Sequence, residues 1–123
     1  MMPSPHKGKT GLRRLINAVG YSVDGLRSAY RLESAFRQEL ALAAVLIPAA
    51  LLLRVAPSGR ALLLASVILV LIVEILNSAI EATIDRISLD NHELARRAKD
   101  LGSAAVMLSL VCMVTVWAVV LLG

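Results

Sequence analysis

The sequence predicts an all-α integral membrane protein, with three transmembrane helices that follow an amphipathic surface helix. Three observations carry this prediction. The chain of 123 residues is 58% hydrophobic, and its mean hydropathy of +0.75 lies well above the soluble average. Its apolar residues are concentrated in three runs, and its charged residues fill the segments between them. At this length we expect a single domain, residues 1–123.

The N-terminal part of the chain predicts a tail followed by a surface helix. Residues 1–11 contain two prolines and two glycines, which favours a flexible tail. Over residues 12–35, apolar side chains recur at helical spacing and form one narrow stripe, with arginines beside or opposite it. This pattern is typical of a helix that lies on a membrane surface.

The three apolar runs predict the transmembrane helices. Leu40–Leu53 is short for a membrane span unless the charged side chains at its ends reach towards the interface. Ala61–Ile80 is long enough if Glu74 is tolerated, and Leu101–Gly123 contains no charged residue at all. With their flanking turns, the predicted helices cover residues 36–56, 61–86 and 91–122.

Two short sequence patterns lie near the start of the last predicted helix. Asp90 and Glu93 have the spacing of a capping box, so the helix is predicted to begin near Asn91. Further along, four small residues at 102–105 would let another helix approach closely.

The distribution of basic residues predicts the orientation. Seven precede the first apolar run, two lie between the first and second runs, and four lie between the second and third. By the positive-inside rule, the N-terminus and the second loop face the cytoplasm and the C-terminus faces outwards. The net charge of +4 suits an anionic membrane surface, and with 3% aromatic residues we expect no nucleic-acid partner.

A polar stripe within the second span is the candidate functional site. Glu74 lies deep inside the apolar run, where a charged group costs several kcal/mol and is rarely placed without a function. Asn77, Glu81 and Asp85 follow it within about 80° of the helix circumference. Glu33 lies near the edge of the apolar stripe of the surface helix, where a carboxylate needs a partner.

The chemistry of these groups leaves two functions open. The chain has none of the common nucleotide-binding or zinc-protease motifs. Paired carboxylates at an interface suit Mg²⁺ that bridges phosphate oxygens, and a carboxylate in a low dielectric is a good proton acceptor. The residues alone therefore allow phosphoryl transfer to a lipid or proton-coupled transport through Glu74. The groups concerned are Glu33, Glu74, Glu81, Asn77, Arg14 and Lys99.

Four sequence blocks resemble the prokaryotic diacylglycerol kinase family. EILNSAIEATIDR at 74–86 is similar to the signature of that family, and the other blocks agree with it in order and spacing. They are GYS at 20–22, ESAFRQE at 33–39 and HELARRAKDLGSAAV at 92–106. The blocks are more similar to the Gram-negative diacylglycerol kinases than to the Gram-positive members that phosphorylate undecaprenol. Val23 and Tyr30 stand where the family pattern has tryptophan.

This resemblance implies a reaction, an assembly and a location. The reaction is transfer of the γ-phosphoryl group of ATP to the primary hydroxyl of diacylglycerol, which gives phosphatidic acid. The assembly is a homotrimer with composite sites, in the bacterial inner membrane, with a cytoplasmic N-terminus and a periplasmic C-terminus. Two alternatives remain: an undecaprenol kinase of the same family, and a small proton-coupled transporter.

The resemblance also implies roles for individual residues. Glu74 would be the general base, with Asn77 assigned to the same catalytic group, and Glu33 and Glu81 would hold Mg²⁺. Positions that contact ATP are matched by Arg14, Tyr21, His92, Lys99 and Asp100. Positions along the path of the lipid substrate are matched by Arg27, Gln38, Ser103 and Trp117.

Overall fold

The structure is a computed structural model that describes residues 10–87 and 92–123. The predicted tail, apart from its last two residues, and the Asp90–Asn91 pair lie outside these ranges. The described residues form four helices and no strand, which confirms the all-α prediction. The helices are α1 (Gly11–Leu32), α2 (Ser34–Leu52), α3 (Pro57–Ile87) and α4 (Glu93–Leu122).

Three of these helices are long and apolar enough to cross a membrane, namely α2, α3 and α4. This result confirms the prediction of three spans after a surface helix. With 31 residues, α3 extends about 46 Å, whereas a hydrocarbon core is about 30 Å thick. One end of α3 must therefore extend past the hydrocarbon, and the end that contains Asp85 and Arg86 is the polar one.

Helix α1 leaves its apolar face uncovered by the rest of the chain. Its first turn is capped by Thr10, whose Oγ1 accepts a hydrogen bond from the Arg13 amide at 3.4 Å. Of its residues only Ala29 is buried, whereas Leu12 is 70% and Leu15 62% exposed. An uncovered apolar stripe on a helix with arginines beside and opposite the stripe is what an interfacial helix requires.

The first helix ends earlier than predicted. The sequence pattern continues the helix to residue 35, but Glu33 has an extended backbone and separates α1 from α2. The physical reason is a cap from the following helix: Arg37 Nη1 donates to the carbonyl oxygens of Tyr30 at 2.8 Å and Arg31 at 3.3 Å. These carbonyls lack partners within α1, so the guanidinium stabilises the helix end at that point.

The second joint, between α2 and α3, has a cap of the same kind. Helix α3 begins at Pro57 rather than at residue 61, because proline suits the first helical turn, where its missing N–H is not needed. Arg60 Nη1 donates to the carbonyl oxygens of Ala50 at 2.7 Å and Leu51 at 2.8 Å, at the end of α2. Accordingly, α2 ends at Leu52 instead of residue 56.

The start of α4 is also shifted with respect to the prediction. The helix begins at Glu93, and its cap is His92, whose Nδ1 accepts a hydrogen bond from the Leu94 amide at 3.1 Å. An imidazole nitrogen thus satisfies one of the free N–H groups of the first turn.

The apolar core lies where α2, α3 and α4 meet. It consists of Ala43 from α2, Val67 and Val70 from α3, and Met113 from α4, all at most 7% exposed. Leu63, fully buried, lies further towards the start of α3. The core therefore occupies the half of the bundle that precedes Glu74 along α3, and it fixes that helix against both of its neighbours.

Candidate functional site

The buried carboxylate of Glu74 is the centre of the candidate site. Leu63, Val67, Val70 and Glu74 follow one another at helical spacing, so they share the face of α3 that packs against the other helices. Because the first three are core residues, Glu74 is carried into the interior as well, and it is only 5% exposed. A carboxylate at this depth is expected to be functional.

Three more carboxylates surround Glu74. Glu33 at the α1–α2 joint and Glu81 on α3 are half-buried, and both interact electrostatically with Glu74. Glu39 on α2, also half-buried, interacts with Glu74 too. The structure therefore brings together Glu33, Glu74 and Glu81, as predicted, and adds a fourth acid to them.

Glu39 was missed in the sequence analysis. It was treated as a charged residue at the end of a short span, whose side chain would extend to the membrane surface. Instead, its Oε2 is buried and has no hydrogen-bond partner within residues 10–87 and 92–123. The available signal was its position directly before the uncharged run of α2, where a carboxylate is already close to the hydrocarbon.

Buried polar atoms without partners cluster on this side of the bundle. Besides Glu39 Oε2, they include Asn77 Oδ1 and Ser78 Oγ on α3. Buried polar groups in native proteins are normally hydrogen-bonded, so unpaired ones mark places where another molecule supplies the partner. Because Asn77 follows Glu74 by about one helical turn, its unpaired Oδ1 lies close to Glu74 along α3.

Two cavities meet beside α3. One, of about 310 Å³, is lined by Glu33 and Ser78 together with small residues of α1 and α3. The other, of about 520 Å³, is apolar and lies between α1, α2 and α3, with Leu26, Phe36 and Leu40 among its lining residues. Both are lined by Gly25 and Ile75, so a cavity that the Glu33 carboxylate lines adjoins an apolar one beside α3.

The polar stripe of α3 ends in an ion pair with α4. Lys99 Nζ lies 2.7 Å from Asp85 Oδ1, and Lys99 also interacts electrostatically with Glu81. The two side chains of the pair are 42% and 65% exposed, so the pair adds little to stability. Lys99, predicted to contact ATP, thus lies at the outer end of the acidic cluster.

The remaining predicted ATP residues lie at the surface of the single chain. His92 caps α4, Asp100 is exposed on the same helix, and Arg14 and Tyr21 are exposed on α1.

The residues predicted to contact the lipid do not form one group. Arg27, Gln38 and Ser103 are exposed on three different helices. Trp117 packs on the apolar core with Met113. Trp117 is also about 22 Å further along α4 than Gly102, which faces Asn77. The structure therefore does not bring Trp117 to the carboxylates within one chain.

The acidic cluster suits a metal ion that takes only one or two ligands from the protein and the others from water and substrate. Within residues 10–87 and 92–123, no group of three or more His, Cys, Asp or Glu side chains is arranged to hold a metal ion. Mg²⁺, however, is usually bound through one or two carboxylates together with water and substrate phosphates. Glu33 and Glu81 fit that kind of site.

The fold and the site define a helical membrane-spanning enzyme whose acidic centre lies between its helices. The chain belongs to the prokaryotic diacylglycerol kinase family, whose model matches residues 20–121. Membership makes it a kinase, as the resemblance of the sequence blocks had implied.

Curated relatives support this membership over nearly the whole chain. A diacylglycerol kinase of Pseudomonas aeruginosa is 55% identical over 123 residues, which is 100% of both chains. A diacylglycerol kinase of Escherichia coli K12 is 51% identical over 112 residues, 91% of this chain and 92% of the relative. A diacylglycerol kinase of Helicobacter pylori 26695 is 40% identical over 113 residues, 92% and 88% of the two chains.

Proposed function

We propose that this protein phosphorylates the primary hydroxyl of diacylglycerol with ATP, forming phosphatidic acid at the cytoplasmic face of the membrane. The observation that carries the proposal is the Glu74 carboxylate, which is buried within a membrane-spanning helix directly before Ile75, a residue that lines both cavities. A lipid alcohol needs such a place, because its chains are apolar and its reacting group is not.

The apolar cavity accounts for the lipid. It lies under the amphipathic helix α1, and its residues Ile72, Ile75 and Leu76 lie within two residues of Glu74 along α3, on an adjoining face of that helix. Acyl chains in this cavity would leave the glycerol hydroxyl near the carboxylate. Arg27, Gln38, Ser103 and Trp117 are assigned to the remaining path of the lipid on the strength of the family resemblance.

Glu74 would act as the general base, with Asn77 orienting the hydroxyl. The hydroxyl proton passes to the Glu74 carboxylate while the alcohol oxygen forms a bond to the γ-phosphorus of ATP. The bond between that phosphorus and the β,γ-bridging oxygen breaks, and ADP leaves. A positioned base contributes about 10²- to 10⁴-fold to the rate, and phosphoryl transfer otherwise depends on positioning and charge stabilisation.

The nucleotide and its metal belong on the outer side of Glu74. Glu33 and Glu81 would hold Mg²⁺, which neutralises negative charge on the phosphate oxygens when bound. When ATP binds, the Lys99 ammonium would leave its ion pair with Asp85 and contact a phosphate group of ATP instead. Arg14, Tyr21, His92 and Asp100 complete the proposed nucleotide contacts.

The proposed assembly is a homotrimer in the bacterial inner membrane, with a cytoplasmic N-terminus and a periplasmic C-terminus. Composite sites between protomers would bring to one place residues that are separate in the single chain. The large apolar residues exposed along α4, such as Leu108, Val111 and Val114, are compatible with contacts to lipid or to another protomer.

The experiment that tests this function offers two lipids together. The purified protein in detergent–lipid micelles receives labelled ATP with equal amounts of diacylglycerol and undecaprenol, with and without Mg²⁺. Magnesium-dependent labelling of diacylglycerol supports the proposal. Labelling of undecaprenol alone identifies the sister activity, and labelling of neither lipid favours proton-coupled transport through Glu74.

A further inference from the structure

Gly102 of α4 leaves room for one particular side chain of α3. The residue is buried in the interior of a continuous helix. A Cβ atom added to it would collide with Oδ1 of Asn77, and it would lie 3.1 Å from Asn77 Cγ and 3.9 Å from Asn77 Cβ. The space beside the Gly102 backbone is therefore filled by the Asn77 carboxamide.

The glycine at residue 102 does not stabilise helix α4. In a helix interior, glycine is less favourable than alanine by about 1 kcal/mol. Other glycines inside the described helices differ from it. A Cβ on Gly20 or Gly25 would meet nothing within 4 Å, and one on Gly59 would meet Val120 Cγ1, a side-chain methyl, at 3.2 Å.

Asn77 is held at this place by packing. Its Oδ1 is buried and accepts no hydrogen bond from any residue that the structure describes, although a buried carboxamide oxygen usually has a partner. With Oδ1 against Gly102, the donor group Nδ2 occupies the opposite branch of the planar carboxamide. The contact with Gly102 therefore fixes where the carboxamide of Asn77 lies, one helical turn from Glu74.

We propose that Gly102 is a positioning residue for phosphoryl transfer: its bare backbone seats the Asn77 carboxamide, and the seated amide orients the lipid hydroxyl at Glu74. The inference rests on the proposed roles of Asn77 and Glu74. A methyl group at residue 102 displaces the carboxamide, and a misplacement of about 1 Å at a reacting centre is able to cost about 10²-fold in rate.

The test compares two alanine substitutions at contacts between the same two helices. Gly102→Ala places a methyl against Asn77, and Gly59→Ala places one against Val120, near the other end of α3. The first measurement is of the side-chain ¹⁵N–¹H resonances of Asn77, which are identified as the resonances missing from the spectrum of Asn77→Asp. The second is of kcat and KM for the lipid substrate. Gly102→Ala shifts the resonances and lowers kcat about 10- to 100-fold with KM within about threefold. Gly59→Ala changes neither.

A double substitution separates positioning from general damage. If Gly102 acts through Asn77, adding Gly102→Ala to Asn77→Ala lowers kcat by less than about twofold, because the coupled partner is already gone. If Gly102→Ala alone fails to fold, Asn77→Ala restores folding by removing the colliding carboxamide. A double variant that also fails to fold overturns the proposal.

Two further outcomes overturn the inference, and both are distinct from failure of the proposed function. Unchanged Asn77 resonances in folded Gly102→Ala would show that the carboxamide is not seated by Gly102. Shifted resonances with unchanged kcat would show that its seating does not matter for transfer. If the wild-type protein phosphorylates undecaprenol instead, diacylglycerol as the substrate is wrong, while the same kcat comparison on undecaprenol still tests Gly102.

Discussion

The two halves of α3 differ in whether their buried polar side chains have hydrogen-bond partners. In the half that precedes Glu74, Ser66 is buried and its Oγ donates to the Leu63 carbonyl at 2.9 Å. Facing helix α4 does the same at Ser109, whose Oγ donates to the Val106 carbonyl at 2.7 Å. In the half that follows, Asn77 Oδ1 and Ser78 Oγ are buried and have no hydrogen-bond partner among the described residues.

This difference separates the scaffold from the site. A serine that bonds to a carbonyl of its own helix is satisfied before any other molecule arrives. An unsatisfied buried polar group costs about 1–3 kcal/mol, and it is retained where a substrate supplies the missing partner. The buried polar groups of the first half of α3 are thus satisfied within the helices, whereas those of the second half are available to the proposed substrate.

Trp117 is an exception within the packed half. Its indole Nε1 is buried without a partner, next to an apolar cavity of about 400 Å³ that Leu46 and Val114 also line. The resemblance assigns Trp117 to the lipid path, so this donor also has a proposed partner outside the chain.

The largest expected effect comes from a comparison in which one buried polar residue is substituted in each half of α3. Glu74→Gln removes the proposed base without changing the shape of the side chain, and we expect kcat to fall at least about 100-fold. Ser66→Ala, its control in the packed half, should leave kcat within about twofold. Both are measured as phosphate transfer from labelled ATP after gel filtration has shown that the variants are folded. Equal losses in the two variants would abolish the contrast between the halves.

A truncation in the core should have the opposite signature. Leu63→Ala leaves a cavity at a fully buried position and should destabilise the protein by about 2–4 kcal/mol. The folded fraction should retain its kcat, because Leu63 lies several turns from Glu74. Thermal inactivation in detergent measures stability, and turnover per folded protein measures activity. Normal stability combined with lost turnover would place Leu63 in the site instead.

Removal of an outer carboxylate should change the metal dependence. Glu81→Gln keeps the side-chain volume but weakens a proposed ligand, so half-maximal activity should require about tenfold more Mg²⁺. The measurement is a titration of Mg²⁺ at saturating ATP and lipid. Asp85→Asn, on the same stripe, serves as the control and should shift the midpoint by less than about twofold. An unchanged midpoint in Glu81→Gln would refute its assignment as a metal ligand.

The smallest effect is expected for the exposed ion pair. Asp85→Asn frees Lys99, but solvent screens an exposed ion pair so that it contributes little to stability, and thermal stability should barely change. Lys99→Met should raise KM for ATP about tenfold if the ammonium contacts a phosphate. Steady-state kinetics with varied ATP measure both variants. An equal rise of KM in Asp85→Asn would mean that the pair itself, rather than Lys99 alone, serves nucleotide binding.

The sequence predicts the elements that depend on local pattern. The three spans follow from three apolar runs, although the first is short for a span and Glu74 interrupts the second, which is what makes this residue conspicuous. The grouping of Asn77 and Glu81 with Glu74 follows from helical spacing alone. The family resemblance accounts for the assignment of Glu33 as a metal ligand, since this residue lies at the joint between α1 and α2 and not on α3 with Glu74 and Glu81.

What the sequence does not predict depends on contacts between helices. The apolar period continues across Glu33, and α1 ends there because Arg37, from the next helix, caps it. The inward position of Glu39 is set by the packing of α2 on α3, which no single-helix pattern contains. The contact of Gly102 with Asn77 joins residues far apart in the chain and has no local signal either.

The two arginine caps have a consequence for the order in which the chain is made. Arg37 follows the carbonyl of Tyr30 by 7 residues, and Arg60 follows that of Ala50 by 10. In both joints the cap comes from the segment that leaves the ribosome next, and neither waits for a distant part of the chain. Each helix end can therefore be completed during synthesis, before the following span is fully translated.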